Sequence, residues 1–148
     1  MEDQDKKRLA QLLLRQKRRI RAPALLRAWE ENGVGVTLLT DEDHEALVLW
    51  LRAHWSKSHQ AVTDIGAHLA AICAAENLMI IMNVWDWDKA VAVLVPTEDL
   101  LRTQQGLRQI YPDGFLVADQ RLRSGLLVDF DDHTASAEVS VIGPRQEA

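Results

Sequence analysis

A single cysteine in 148 residues removes one common way of bracing a small chain, because Cys73 has no second thiol within the molecule to bond. Its alanine-rich helical surroundings suggest a buried, inert side chain and a reducing, cytoplasmic setting. Aromatic residues make up only 5%, with one tyrosine, and the seven glycines and four prolines gather into no low-complexity linker. Gly33-Val34-Gly35 lacks a third glycine and opens a strand, which excludes a phosphate-cradling loop. Long hydrophobic runs are missing too: residues 78–82 and 90–95 fall well short of the ~20 apolar residues that span a bilayer. Leu12-Leu13-Leu14 is interrupted at once by Arg15, Lys17, Arg18 and Arg19, so no export signal is expected.

What the chain does have is segregated charge. Residues 1–22 carry eight Lys/Arg against three acids, whereas residues 23–148 carry nine against nineteen. The first segment repeats apolar positions at Leu9, Leu12, Leu13, Gln16 and Ile20, close to helical spacing, and so reads as a basic amphipathic helix. Its leucine stripe is expected to cover the sheet or a neighbouring helix and its cations to form a solvated face. The other readings are self-neutralisation against the acidic remainder, a partner helix, RNA, or an anionic membrane surface. Pro23 suits the first turn of a second helix and Asn32-Gly33 its end, which predicts two short helices joined near Arg21-Ala22.

Alternation over residues 34–39 then predicts a short strand, and Thr40-Asp41-Glu42-Asp43 caps a helix running to about Trp55. Residues 46–51 are apolar on nearly every side and should be covered on more than one face, while residues 58–77 continue as a helix with many alanines. Trp29, Trp50 and Trp55 sit among apolar neighbours and read as core. From Leu78 the pattern turns to strands: residues 78–84 and 90–95 form a hairpin, a helix follows Pro96 and carries Leu100, Leu101, Leu107 and Ile110, and Tyr111-Pro112-Asp113-Gly114 makes a turn. Residues 115–118, 126–130 and 135–142 supply three more strands. The order ααβααββαβββ is that of an α+β domain, with N-terminal helices packed on a mostly antiparallel sheet. One domain spans residues 1–148, with a free tail at 144–148.

Catalytic signatures are weak. Asp129 and Asp131, with Asp132 beside them, resemble a strand-end Asp-x-Asp that could hold a divalent cation, but a parallel βαβ frame around them is not expected. An acidic hairpin loop is the simpler reading. His44, His54, His59, His68 and His133 show no metal-ligand spacing, and Asp64 with His68 reads as a helix-surface pair. Residues 58–77 could be mistaken for a helix-turn-helix but lack the Arg and Lys of a recognition helix along 60–77.

Trp85-Asp86-Trp87-Asp88 combines apolar area with negative charge at a hairpin tip, as an anchor inserted into a basic cleft would; the alternative is that the indoles pack inward and the acids only make the turn. The reading adopted is a non-enzymatic, cofactor-free acidic binding protein of the inhibitor or immunity type. It would neutralise a basic protein partner, such as a bacterial toxin, through Trp85, Asp86, Trp87, Asp88, Asp129, Asp131 and Asp132. A nucleic-acid-associated regulatory module, binding through Lys6, Lys7, Arg8, Arg15, Lys17, Arg18 and Arg19, is the second reading, and no membrane partner is expected.

Overall fold

A computed structural model describes residues 2–54, 72–83, 86–103, 105–130 and 137–142. Helix α1 (Glu2–Glu31) is followed by β1 (Thr37–Leu38), α2 (Asp41–His54), β2 (Asn77–Met82) and β3 (Ala92–Pro96). Then come α3 (Thr97–Arg102), α4 (Leu107–Ile110), β4 (Phe115–Asp119), β5 (Gly125–Phe130) and β6 (Ala137–Ile142). The strands form one six-stranded sheet in the order β1-β3-β2-β4-β5-β6, every neighbouring pair antiparallel. This is the expected α+β architecture. The predicted helix over 58–77, Trp55 and the tail lie almost wholly or wholly outside the described residues.

The unbroken apolar runs of the strands have a physical reason: the sheet is buried on both faces. Because side chains alternate along a strand, Leu78 and Ile80 of β2 share one face with Val93, Val95, Phe115, Val117 and Leu126. That face is covered by Trp29 of α1, Leu100 of α3 and Leu107 and Ile110 of α4. Met79 and Ile81 point the other way, with Ala92, Leu116, Ala118 and Leu127, against Leu47, Val48 and Leu51 of α2.

Four elements differ from expectation. Pro23 does not separate two helices; α1 is one helix of 30 residues with Pro23 inside it. Pro23 and Arg19 are both exposed, so the Arg19 carbonyl deprived of its usual donor lies on the solvent side, where water can serve it. The early strand is only Thr37–Leu38. Helix α2 is covered on one face, through His44, Leu47, Val48 and Leu51, and leaves Leu49 72% exposed. The helix after Pro96 is two: α3 ends at Arg102 and α4 starts at Leu107, with Thr103 and Gly106 carrying turn hydrogen bonds. Cys73, expected to be buried, is exposed. Trp50 is half-buried, and its ring lies so close to Gly125 that a Cβ there would sit 2.8 Å from the indole.

The turn Tyr111–Gly114 forms as predicted: the Gly114 amide donates to the Tyr111 carbonyl at 3.0 Å. Gly114 has φ +108° and its added Cβ would meet the Val128 carbonyl at 2.2 Å, so only glycine fits. This turn leads from α4 into β4 and lies against Val128 of β5, at the end of the sheet where the acids collect.

Candidate functional site at the acidic end of the sheet

Antiparallel register decides which loops share an end. Met82 at the finish of β2 lies opposite Phe115 at the start of β4, and Phe115 lies opposite Val128 near the finish of β5. The Asn83 amide donates to the Gly114 carbonyl at 3.1 Å. One end of the sheet therefore gathers the segment leaving β2, with Asp86 and Asp88, the turn with Asp113, and the end of β5 with Asp129. Asp86, Asp113 and Asp129 are exposed. Register also sets Asp129 opposite Glu138 of β6. Trp85, Asp131 and Asp132 lie outside the described residues.

The hairpin loop is built by its own acids and held by α1 and α2. Asp86 accepts the Asp88 amide on its carboxylate at 3.2 Å and pairs with Lys89 at 3.5 Å, the turn-making role open to an aspartate. Asp88 accepts from Arg52 of α2. Three successive carbonyls are then bound by three side chains: Asp88 by Arg18 at 2.8 Å, Lys89 by Arg21 at 3.4 Å and Ala90 by His44 Nε2 at 2.8 Å. Trp87 takes the inward of the two readings. It is 8% exposed and belongs to the core under α2, so it is not available as an anchor.

Arg18 is the centre of this clamp. Buried to 6% exposure, it also reaches Asp41 at 3.1 Å and Glu45 at 3.5 Å on α2. Arg15 forms a two-pronged pair with Glu45 at 2.8 and 3.0 Å, and Arg19 meets Asp41 at 3.3 Å. The Arg15 guanidinium holds the Glu45 carboxyl below the usual range, and burial, followed by the charge of Arg18, lowers His44. His44 is therefore a neutral donor to Ala90, and its Nδ1 is buried without a protein partner among the described residues. Part of the positive charge of residues 1–22 is thus satisfied by the chain's own acids.

Beside the acidic end runs an open cleft of about 430 Å³ between α1, the hairpin loop and α4. Leu25, Met82, Val91 and Ile110 line it, Ala24, Ala28 and Ala90 leave the room, and Arg21, Asp86 and Lys89 stand among its walls. An apolar side chain would fit there.

The sequence singled out the acids but missed the clamp. His44 could have been found: with Leu47, Val48 and Leu51 it completes the i, i+3, i+4, i+7 face of a buried helix stripe. Arg18 carried no such signal, because its burial follows from long-range docking of α1. Among the described residues no group of three or more His, Cys, Asp or Glu is placed to hold a metal ion, and no helix is long and apolar enough to cross a membrane. No family model, curated protein or solved structure matches this chain.

Proposed function

We propose that the protein is a non-enzymatic acidic binding module that captures a basic protein partner at the Asp86–Asp113–Asp129 end of its sheet, in the manner of an inhibitor or immunity protein. The observation that carries this reading is the convergence of separate acids, far apart in sequence, on one exposed end beside an apolar cleft. A dense carboxylate field accelerates encounter with a cation-rich surface.

The anchoring differs from a displayed indole. With Trp87 in the core, the partner supplies the knob and the cleft by Leu25, Met82 and Ile110 receives it. The nucleic-acid reading has less support, since Arg15, Arg18 and Arg19 are already engaged by Asp41 and Glu45. A bacterial toxin remains the natural class of partner for an acidic chain of this size, acting in the cytoplasm.

The test uses a partner co-purified with the intact chain. Asp113→Lys with Asp129→Lys, both exposed, should slow its association tenfold or more at low salt and leave the circular dichroism unchanged. Ala28→Trp, which fills the cleft, should chiefly speed dissociation. Unchanged association for the double charge reversal would remove the acidic end as the binding site. Asp88 is unsuitable for this test because it holds Arg52 and, through its carbonyl, Arg18.

A further inference from the structure

Three leucines in the first half of α1 face the wrong way for a core. Leu9, Leu12 and Leu13 are 58%, 49% and 49% exposed, and Ile20 is 71% exposed. The side that docks is the polar one: Gln11 and Arg15 reach Glu45, and Arg18 reaches Asp41. At ~100° per residue, Leu9, Leu12, Leu13, Gln16 and Ile20 fall within an arc of roughly 100°, turned away from α2. Lys6 and Lys17 border that arc on one side and Arg8 on the other, with Arg19 beyond it already meeting Asp41. All of residues 3–13 are exposed, so the first turns of α1 form an arm. An open cleft lined by Gln4, Lys7, Gln11, Val48 and Leu49 separates the arm from α2.

We infer that this stripe, Leu9, Leu12, Leu13 and Ile20 between two rows of cations, is the docking face for an amphipathic helix of a second protein whose apolar seam is bordered by Asp and Glu. A narrow seam with charged borders is the geometry of helix-to-helix pairing, in which border charges choose the partner. Cations on both borders select acids. A second copy of this chain would set Lys6 and Lys17 against the same cations. An anionic lipid surface would have to tolerate residues 23–148, with a net charge of 9 − 19 = −10, held close behind a single helix. This face and the acidic end thus have opposite signs and serve different partners, and neither proposal depends on the other.

The experiment measures fluorescence anisotropy of two labelled three-heptad peptides with Leu at a and d, one with Glu and one with Lys at e and g, titrated with the intact chain. Saturable binding of the Glu peptide, at least tenfold weaker for the Lys peptide, is expected. Leu9→Asp with Leu12→Asp should weaken the Glu peptide at least tenfold while leaving circular dichroism and the buried Trp29 fluorescence unchanged, because both leucines are exposed. Binding of neither peptide, or of both equally, overturns the inference. So does sedimentation of the chain alone as a dimer that this double variant dissociates, or pelleting with phosphatidylglycerol vesicles that it abolishes in the absence of peptide binding.

Discussion

The two halves of α1 attach to the same body by opposite means. Beyond Pro23, Leu25, Leu26, Ala28 and Trp29 dock on one face of the sheet, and Trp29 is fully buried with its indole N–H donating to the Tyr111 hydroxyl at 3.1 Å. The rings meet edge to face, 5.9 Å between centroids. Before Pro23, docking is ionic, through Arg15, Arg18 and Arg19, while Leu9, Leu12 and Leu13 point outward. Apolar burial is not screened by salt and holds the C-terminal half to the core. Ion pairs give less net free energy but fix direction, because a buried guanidinium demands particular oxygens. The difference explains how one helix can both complete a core and present an arm.

The largest effect should come from breaking the apolar attachment. Trp29→Ala removes a fully buried indole and its hydrogen bond to Tyr111 and should cost about 3–5 kcal/mol in urea unfolding. Burial raises the Tyr111 hydroxyl well above its ordinary pKa, and the indole N–H it accepts opposes that rise. A cost below about 1 kcal/mol would mean that this half of α1 is not part of the core.

Next in size is the ionic attachment. Arg18→Met leaves Asp41, Glu45 and the Asp88 carbonyl short of a donor and should cost about 3 kcal/mol. Arg15→Met, at a solvent-screened pair in which Glu45 keeps Gln11 as a second donor, should cost clearly less. Equal costs for the two would show that Arg18 is no keystone and that the ionic half is a diffuse charge pairing. Because Arg18 also holds the loop of Asp86, its loss should loosen partner capture at the acidic end without touching an exposed acid.

How far this contrast was readable in advance follows from the range of each interaction. Strand runs such as residues 78–82 and the Tyr111–Gly114 turn are local signals, and the sheet's antiparallel pairing follows from them. The acids at 86, 88 and 129 stood out by composition, and register brought them to one end. Periodicity assigned the leucines of α1 to the interior because an apolar stripe ordinarily marks the buried face. It could not reveal that Asp41 and Glu45 would draw the opposite face inward, since that choice depends on a helix 30 residues away along the chain. Trp87 was ambiguous for the same reason: alternation gives its face, but only the position of α2 says which face is covered.

The smallest effect, and the one that isolates the clamp, is its pH dependence. His44 is lowered from an ordinary value of 6.5 by burial and by Arg18, so the folded protein keeps it neutral where the unfolded chain takes up a proton. The groups facing it are Arg18 from α1, Glu45 from α2, and Asp88 and the Ala90 carbonyl from the hairpin loop. A base held below its unfolded value contributes its full stability above pH 6.5 and loses it as the pH falls below that value. Glu45, lowered from 4.5, has the same sign and acts in a second window, below pH 4.5. His44→Gln keeps a nitrogen donor for Ala90 but cannot be protonated. Denaturant unfolding of wild type and variant between pH 7.5 and 5 should therefore diverge, the wild type losing stability relative to the variant by less than the cost of Arg18→Met. Parallel curves would mean that His44 can take up its proton in place, and that the loop is held by the arginines alone.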